Sequence, residues 1–201
     1  MRKPVRIGLI VILCVILLFV LIRVVKSPSQ ENAGEEGNTT MNAPSQTEID
    51  AASQAGSIMV TISTTKGDIK ATLRGDLMPL TTANFVKLAS SGFYDELRFH
   101  RVEDWVIQAG DPVGDGTGGP GYAIKFETHP ELKNVRGAVA MARRPNNVDS
   151  AGSQFYILRT DASWLDGDYA VFGHVTDGMD VVDKMEPNDL IKQVSIAPSP
   201  I

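Results

Sequence analysis

The 201-residue chain is predicted to form one mainly β domain, built as a closed or nearly closed antiparallel barrel. Many short apolar runs have the length and the β-branched and aromatic content of strands. Turn signals separate these runs at frequent intervals, and only two segments of the domain carry convincing helix signals. Hydrophobic residues make up 43% of the chain, so packing in a single core can stabilise such a domain.

In chain order, the first predicted element is a hairpin with strands near residues 58–64 and 68–74, joined by a Lys-Gly turn. A short helix follows, where Pro79 and two threonines precede an apolar run that Gly92 closes. Five strand-like segments come next, and a second helix precedes a closing strand. These segments are ELRFHRV, DWVIQAGD, GAVAMARR, SQFYILRT and YAVFGHVT, then the helix DGMDVVDKME and the strand KQVSIA.

Residues 7–25 are predicted to be a membrane-spanning helix that anchors the chain. Residues 7–22 contain no charged side chain, and as a helix they would span about 24 Å. If Arg23 reaches the interface, the span extends to about 28 Å, close to a hydrocarbon core of about 30 Å. A cleaved secretory signal, which would release a secreted protein, is the alternative. The stretch RVVKSPSQ that follows lacks a small-residue cleavage site, which favours the anchor.

Three basic residues precede this apolar run and two follow it, so the C-terminal domain is expected on the outer side of the cell membrane. Residues 1–26 are assigned to a cytoplasmic stub and the anchor. Residues 27–56 are assigned to a disordered linker, because they carry five acids, no base and few large apolar residues. Residues 57–201 are assigned to the folded domain.

Charge and cysteine content exclude several functions. Residues 1–26 carry five positive charges and no acid, so the remaining chain has a formal net charge of −10 rather than −5. Half of this charge lies in residues 27–56 and half in the folded domain, so this acidic part of the chain is not expected to bind nucleic acid. The single cysteine, Cys14, lies in the apolar run, so the domain is expected to hold neither an intramolecular disulfide nor a cysteine nucleophile.

Residues with reactive chemistry are sparse. The three histidines are widely separated and lack metal-ligand spacing, so no metal site is expected. The glycine-rich stretch 114–122 does not match a phosphate-binding loop and is predicted to be a mobile surface loop. The predicted hairpin 99–112, in contrast, carries Arg101 and Gln108 among apolar residues. Two polar side chains of this length must reach water or contact a molecule outside the chain.

Several short motifs follow one another along the domain: FHRV, VIQAGD, GTGGPGYAIKFE, GAVAMA, AGSQFYI, WLDG and VFGHV. Their order and approximate spacing resemble those of the cyclophilins, and the resemblance covers residues 57–197. It implies a closed eight-stranded antiparallel barrel with two capping helices. It also implies peptidyl-prolyl cis-trans isomerase activity, which uses no cofactor, no metal and no covalent intermediate.

The resemblance further implies roles for individual residues. Arg101 matches the family's catalytic arginine, and Gln108 matches the glutamine that contacts the substrate backbone beside it. Trp105 and Val106 match residues that line the proline pocket. The remaining substrate-binding residues implied in this way are Gly116, Ala142, Arg143, Gln154, Tyr156, Trp164, Leu165 and Tyr169.

Three positions depart from the family pattern. Tyr156 stands where phenylalanine is usual at the pocket floor, and Arg143 replaces a residue used mainly through its backbone. Tyr169 stands where many members have histidine. None of these changes removes the catalytic arginine, so activity with an altered substrate preference is expected.

The expected substrates are proline-containing peptides and unfolded or newly exported proteins. A cyclosporin-type ligand is a further candidate partner, because Trp164 matches the tryptophan that the family uses for it. The alternative function is a non-catalytic module that binds proline peptides or acts as a chaperone through the same pocket.

Overall fold

The computed structural model describes residues 41–197, which form eight antiparallel strands bent into a half-barrel. The mainly β prediction is confirmed, and residues 41–197 contain three α-helices in place of the two expected in the domain, with two short 3-10 helices. The elements are α1 (Gln46–Ala55), β1 (Ser57–Thr64), β2 (Gly67–Arg74), α2 (Pro79–Ser90), β3 (Arg101–Glu103), β4 (Val106–Ala109), β5 (Ala138–Met141), β6 (Phe155–Leu158), β7 (Val171–Asp177), α3 (Met179–Lys184) and β8 (Ile191–Ile196), with 3-10 turns at Val148–Ser150 and Ser163–Leu165.

The strands follow the order β3-β4-β6-β5-β7-β2-β1-β8, which leaves β3 and β8 as the two edges. The sheet is therefore not closed by a continuous ladder. This differs from the closed barrel that the sequence predicted. The segment 96–102, predicted as one strand, divides its pairing between two neighbours. Arg98 forms an isolated bridge with Leu190, whereas β3 itself pairs with β4. This change of partner shortens the predicted strand to three residues.

The β1–β2 hairpin illustrates how the sequence pattern sets the sheet. Its strands pair from Ser57 opposite Arg74 to Thr64 opposite Gly67. Because side chains of a strand alternate between its two faces, every second residue is buried from Val60 to Thr64 and from Ile69 to Leu73. Ile62 and Ile69 are fully buried on this inner face.

Helix α2 packs across the inner face of the sheet. Pro79 occupies its first turn, and the Glu127 carboxylate accepts hydrogen bonds from the backbone N–H groups of Leu80 (3.1 Å) and Thr81 (2.7 Å). These bonds satisfy N–H groups that have no partner within a helix. Phe85 lies at the centre of the core, where its ring meets three others. The ring centroids lie 5.0 Å from Tyr94, 5.3 Å from Phe155 and 5.4 Å from Phe172.

Helix α1 lies inside the segment 27–56, which the sequence predicted to be a disordered linker. Ser45 and Glu48 form a capping box at its start, an arrangement that contributes about 1 kcal/mol to helix stability. Glu48 also forms an ion pair with Lys87 of α2 at 3.1 Å, and Ala52 is buried. Gly75 allows this approach, because a Cβ atom there would lie 2.1 Å from the carbonyl oxygen of Ala52. The folded unit therefore begins before residue 57.

The predicted anchor at 7–25 and the first part of the predicted linker lie outside the described residues. Within residues 41–197, no helix is both long and apolar enough to cross a membrane.

The strands β5 and β6 are buried on both faces, as are β4 apart from the half-buried Gln108 and the first three residues of β7. Ile107 and Ile157 point into the main core, whereas their neighbours Val106 and Tyr156 belong to a second apolar cluster. Ala140 of β5 lies in this second cluster too. A sheet that is packed on both sides holds its side chains in fixed positions, and the candidate site is built on the second cluster.

Candidate active site

Arg101 and Gln108 lie directly opposite each other in the β3–β4 hairpin. Opposed residues in an antiparallel pair project from the same face, so these two side chains lie side by side. The Arg101 Nη1 atom lies 3.4 Å from Gln108 Oε1, a long contact that leaves both groups available to a ligand.

The Arg101 guanidinium is held from its outer side. Its Nε and Nη2 atoms donate to the two carboxylate oxygens of Glu103, at 2.8 and 3.1 Å. The Arg101 Cζ atom lies 5.1 Å from the centre of the Trp105 ring, and the Trp105 Nε1–H donates to Glu103 at 2.8 Å. The hydrogen bond from Arg101 lowers the pKa of Glu103, with a smaller contribution from Trp105. Glu103 is therefore ionised near neutral pH and fixes the arginine.

A cavity of about 490 Å³ opens next to Arg101. Val106 and Tyr156, from the second apolar cluster, form its buried base, and Leu165 and Tyr169 stand at one side. Ten of the predicted site residues line it: Arg101, Trp105, Val106, Gln108, Gly116, Ala142, Arg143, Tyr156, Leu165 and Tyr169.

The Tyr156 hydroxyl has a buried partner. It donates to Asn134 Oδ1 at 2.7 Å, and the Asn134 backbone N–H in turn donates to Asp166 at 2.7 Å. Burial raises the pKa of Tyr156 far above its usual range, so this phenol stays neutral. The extra hydroxyl relative to phenylalanine is thus satisfied below the cavity, and the ring faces the cavity.

Arg143 and Tyr169 form one wall together. The Arg143 Cζ atom lies 4.8 Å from the centre of the Tyr169 ring, and its Nε atom donates to the carbonyl oxygen of Asp168 at 2.7 Å. The Tyr169 ring also packs edge-on against Tyr156, with 5.9 Å between centroids. A cation over an aromatic face is attracted by the ring electrons, so Arg143 stiffens this wall.

Two predicted residues do not line this cavity. Gln154 accepts from Gln108 Nε2 at 2.9 Å and donates to the carbonyl oxygens of Gly116 (3.0 Å) and Gly118 (2.9 Å). It therefore lies behind Gln108 and lines an adjoining cavity of about 570 Å³. Trp164 is 66% exposed, and its ring lies 5.9 Å from that of Trp105. It stands at the rim because the 3-10 turn that carries it projects into solvent.

The sequence interpretation missed three residues that line the cavity, namely His100, Asp115 and Pro145. Both ring nitrogens of His100 are buried, with no hydrogen-bond partner among the described residues. Burial lowers the pKa of His100, which favours the neutral ring. Because His100 is adjacent to Arg101 in the sequence, it could have been proposed as a site residue. Strict alternation along a strand, however, would place its side chain on the face opposite that of Arg101. Residue 100 precedes β3 and does not follow that alternation.

Hydrogen bonds hold the first part of the glycine-rich stretch 114–122, whereas the sequence predicted a mobile loop. The buried Asp111 carboxylate accepts from the backbone N–H groups of Val113 (2.9 Å), Asp115 (3.0 Å) and Gly116. Burial acts to raise the pKa of Asp111, but backbone donors, chiefly Val113 and Gly116, outweigh it and hold the pKa below its usual value. Gly118 packs so closely here that a Cβ atom would lie 2.1 Å from the Asp111 carboxylate.

The site combines an apolar cavity, a fixed cation and amide groups at its edge. Among residues 41–197, no three histidine, cysteine, aspartate or glutamate side chains cluster as metal ligands would. Such a set of groups can bind an apolar ring beside a polar backbone and stabilise a lone pair that forms next to the arginine.

Comparison with known proteins points to the same chemistry. The sequence profile of the family described as cyclophilin type peptidyl-prolyl cis-trans isomerase/CLD matches residues 59–198. A peptidyl-prolyl cis-trans isomerase of Helicobacter pylori is 42% identical over 156 residues, which cover 76% of this chain and 94% of that protein. Peptidyl-prolyl cis-trans isomerase B of Bacillus subtilis is 46% identical over 121 residues, or 59% of this chain and 82% of that protein.

Solved structures agree with these relatives. A crystal structure of a cyclophilin type peptidyl-prolyl cis-trans isomerase from Cryptosporidium parvum matches with a TM-score of 0.67 and 32% identity, and covers 72% of this chain and 99% of its own. A second crystal structure of that protein, determined in the presence of the dipeptide ala-pro, gives a TM-score of 0.65. The chain therefore belongs to the cyclophilin-type peptidyl-prolyl cis-trans isomerases, the enzymes that catalyse rotation about the peptide bond before proline.

Proposed function

We propose that this isomerase holds the proline ring in the 490 Å³ cavity while Arg101 donates a hydrogen bond to the prolyl nitrogen. The observation that carries the proposal is the position of Arg101. It lies opposite Gln108 at the edge of an apolar cavity whose base is Val106 and Tyr156.

The reaction needs stabilisation of a twisted bond rather than a nucleophile. An X-Pro bond has a rotation barrier of about 18 to 20 kcal/mol, because resonance keeps it planar. In the twisted transition state the prolyl nitrogen loses conjugation and regains a lone pair. A donor placed at that nitrogen therefore stabilises the transition state more than either planar form.

Arg101 has N–H groups to spare for this task. A guanidinium carries five N–H donors. Two of them bind Glu103, and a third makes the long contact with Gln108. Two donors thus have no partner among the described residues and can reach a bound peptide.

The arginine accounts for only part of the required acceleration. A hydrogen bond to a charged group contributes about 1.5 to 3 kcal/mol, or about 10- to 150-fold in rate. A 10⁵-fold acceleration requires about 7 kcal/mol. The rest is assigned to fixing the proline ring against Val106 and Tyr156 while the preceding residue turns, and to water exclusion around Arg101.

Matched peptides test this mode of binding. The full-length chain is titrated with an X-Pro peptide and with the same peptide carrying alanine in place of proline. The expected result is that only the proline peptide shifts the NMR signals of Val106 and Gln108, and that its cis-trans exchange is accelerated. Binding without accelerated exchange would favour the alternative, a non-catalytic proline-peptide module.

For the biological setting, we propose a single-pass membrane protein whose isomerase domain acts on newly exported proteins. The apolar run at 7–25, the excess of basic residues before it and the acidic segment after it support this proposal. The test is protease treatment of intact cells in which the outer membrane or wall has been removed. Digestion of the domain with retention of residues 1–26 in the membrane supports the anchor. A soluble external domain would support cleavage and secretion, and full protection would contradict export.

We also propose that the exposed rim formed by Trp105 and Trp164 contributes to binding a cyclosporin-type ligand. Trp164→Ala is expected to weaken inhibition by such a ligand at least tenfold, because an exposed indole offers a large apolar contact. Inhibition of the isomerase is measured beside Trp164→Phe, which keeps a ring at the position. Unchanged inhibition of the alanine variant would place the ligand elsewhere.

A further inference from the structure

A buried polar network lies behind the cavity, and Asn84 of α2 is its centre. Asn84 is completely buried in the middle of the helix. Both ends of its amide are used, since Nδ2 donates to the carbonyl oxygen of Gly152 at 2.7 Å and Oδ1 accepts from the Tyr122 hydroxyl at 2.8 Å. A buried amide with both ends paired fixes the groups that it contacts, because breaking either bond leaves a polar atom without a partner.

The bond to Gly152 holds the start of the segment that leads to Gln154. Ser153, between them, is also buried, and its hydroxyl donates to the carbonyl oxygen of Gly110 at 2.6 Å. The Ser153 carbonyl oxygen accepts from the buried Tyr94 hydroxyl at 3.2 Å. Gly152 and Ser153, the two residues before Gln154, are therefore both hydrogen-bonded to buried groups.

The bond from Tyr122 holds the other partner of Gln154. Tyr122 ends the glycine-rich stretch 114–122, whose carbonyl oxygens at Gly116 and Gly118 accept from Gln154 Nε2. The one amide of Asn84 thus fixes both the segment that carries Gln154 and the loop that Gln154 binds. Since Gln154 in turn accepts from Gln108, the network ends at the residue opposite Arg101.

We propose that Asn84 is a positioning residue of the isomerase: it holds Gln154 and the glycine-rich loop so that Gln108 faces the bound peptide beside Arg101. The proposal rests on the proposed roles of Arg101 and Gln108. Asn84 itself does not line the cavity. Its effect on the reaction passes through Gln154, so it changes the geometry of the site rather than its chemistry.

Asn84→Ala removes both bonds, and a displaced Gln108 is expected to lower kcat/KM about fivefold or more, since small misplacements of binding groups are costly. The side-chain amide NMR signals of Gln108 and Gln154 are expected to shift. Tyr122→Phe removes one hydroxyl and leaves α2 intact, so it serves as the second variant if Asn84→Ala does not fold. A smaller shift of the same two signals is expected for it.

Thr82→Val is the matched control. Thr82 is buried in the same helix, and its hydroxyl has no hydrogen-bond partner among the described residues. This variant is expected to keep both kcat/KM and the two amide signals of the wild type. A folded Asn84 or Tyr122 variant with unshifted amide signals and unchanged kcat/KM would overturn the proposal.

Arg101→Ala, assayed in parallel, distinguishes failure of the positioning role of Asn84 from failure of the proposed site. If Arg101→Ala is inactive while the Asn84 and Tyr122 variants resemble the wild type, only the positioning role fails. If Arg101→Ala is fully active, the proposed site itself is wrong.

Discussion

Arg101→Ala is expected to lower kcat/KM for X-Pro isomerisation at least tenfold while the fold remains intact. The variant loses the proposed hydrogen bond from the Arg101 guanidinium to the prolyl nitrogen. A bond from a charged donor accounts for about 10- to 150-fold in rate. The side chain is 40% exposed and contacts Glu103 and Trp105 at the surface, so its removal opens no core cavity. The rate is measured with a short X-Pro peptide, and the fold is checked by circular dichroism and the melting temperature.

Arg74→Ala provides a closely matched control for this change. Arg74 donates from Nε and Nη2 to Asp76, two residues further along, at 2.8 and 2.7 Å. Arg101 binds Glu103 with the same spacing and the same two atoms. Loss of a surface arginine pair alone would therefore affect both variants equally. Activity of Arg101→Ala within twofold of the wild type would rule out its catalytic role.

Tyr156→Ala is expected to reduce both stability and activity. Tyr156 is only 4% exposed, and removing a buried aromatic ring costs about 3 to 5 kcal/mol in the free energy of unfolding. The same change deletes the base of the cavity, so the proline ring loses a fixed surface and kcat/KM is expected to fall at least tenfold. Unfolding is followed in urea, and the rate is measured at a temperature where the variant is folded.

Tyr156→Phe separates the ring from the hydroxyl. It leaves Asn134 Oδ1 without its partner, which is expected to cost about 1 to 3 kcal/mol in stability. The ring that faces the cavity is unchanged, so kcat/KM is expected to stay within about threefold of the wild type. Equal activity of the alanine and phenylalanine variants would show that this ring does not hold the substrate.

Local sequence patterns predicted most of the sheet, because alternation and turn residues act over short distances. The β1–β2 hairpin was predicted from two β-rich runs and a Lys-Gly turn, and its alternate residues are buried in the structure. Helix α1 was missed because its composition is acidic and rich in small residues. Its stability depends on tertiary contacts, such as the ion pair from Glu48 to Lys87. A local signal existed, however, since Ser45 and Glu48 have the spacing of a capping box.

Sequence motifs predicted which residues belong to the candidate site, and ten of the twelve line the cavity. Arg101 and Gln108 share a face because hairpin register places them opposite each other. Side-chain partners were not predictable, since they come from distant segments. Asn134 occurs in a stretch that reads as an ordinary loop, yet its amide binds the Tyr156 hydroxyl. The exposure of Trp164 likewise depends on the direction of a 3-10 turn, which no local pattern reports.

The place of β1 between β2 and β8 has a consequence for biosynthesis. Among the strands of residues 41–197, β1 is the first to be made and β8 the last, yet they pair directly in the finished sheet. Until β8 leaves the ribosome, one edge of β1 is unpaired and the core residues beneath it are open to water. Contacts between such distant segments slow folding, and unpaired edges favour aggregation. The full β1–β8 ladder can therefore form only after the last residues of β8 have been synthesised.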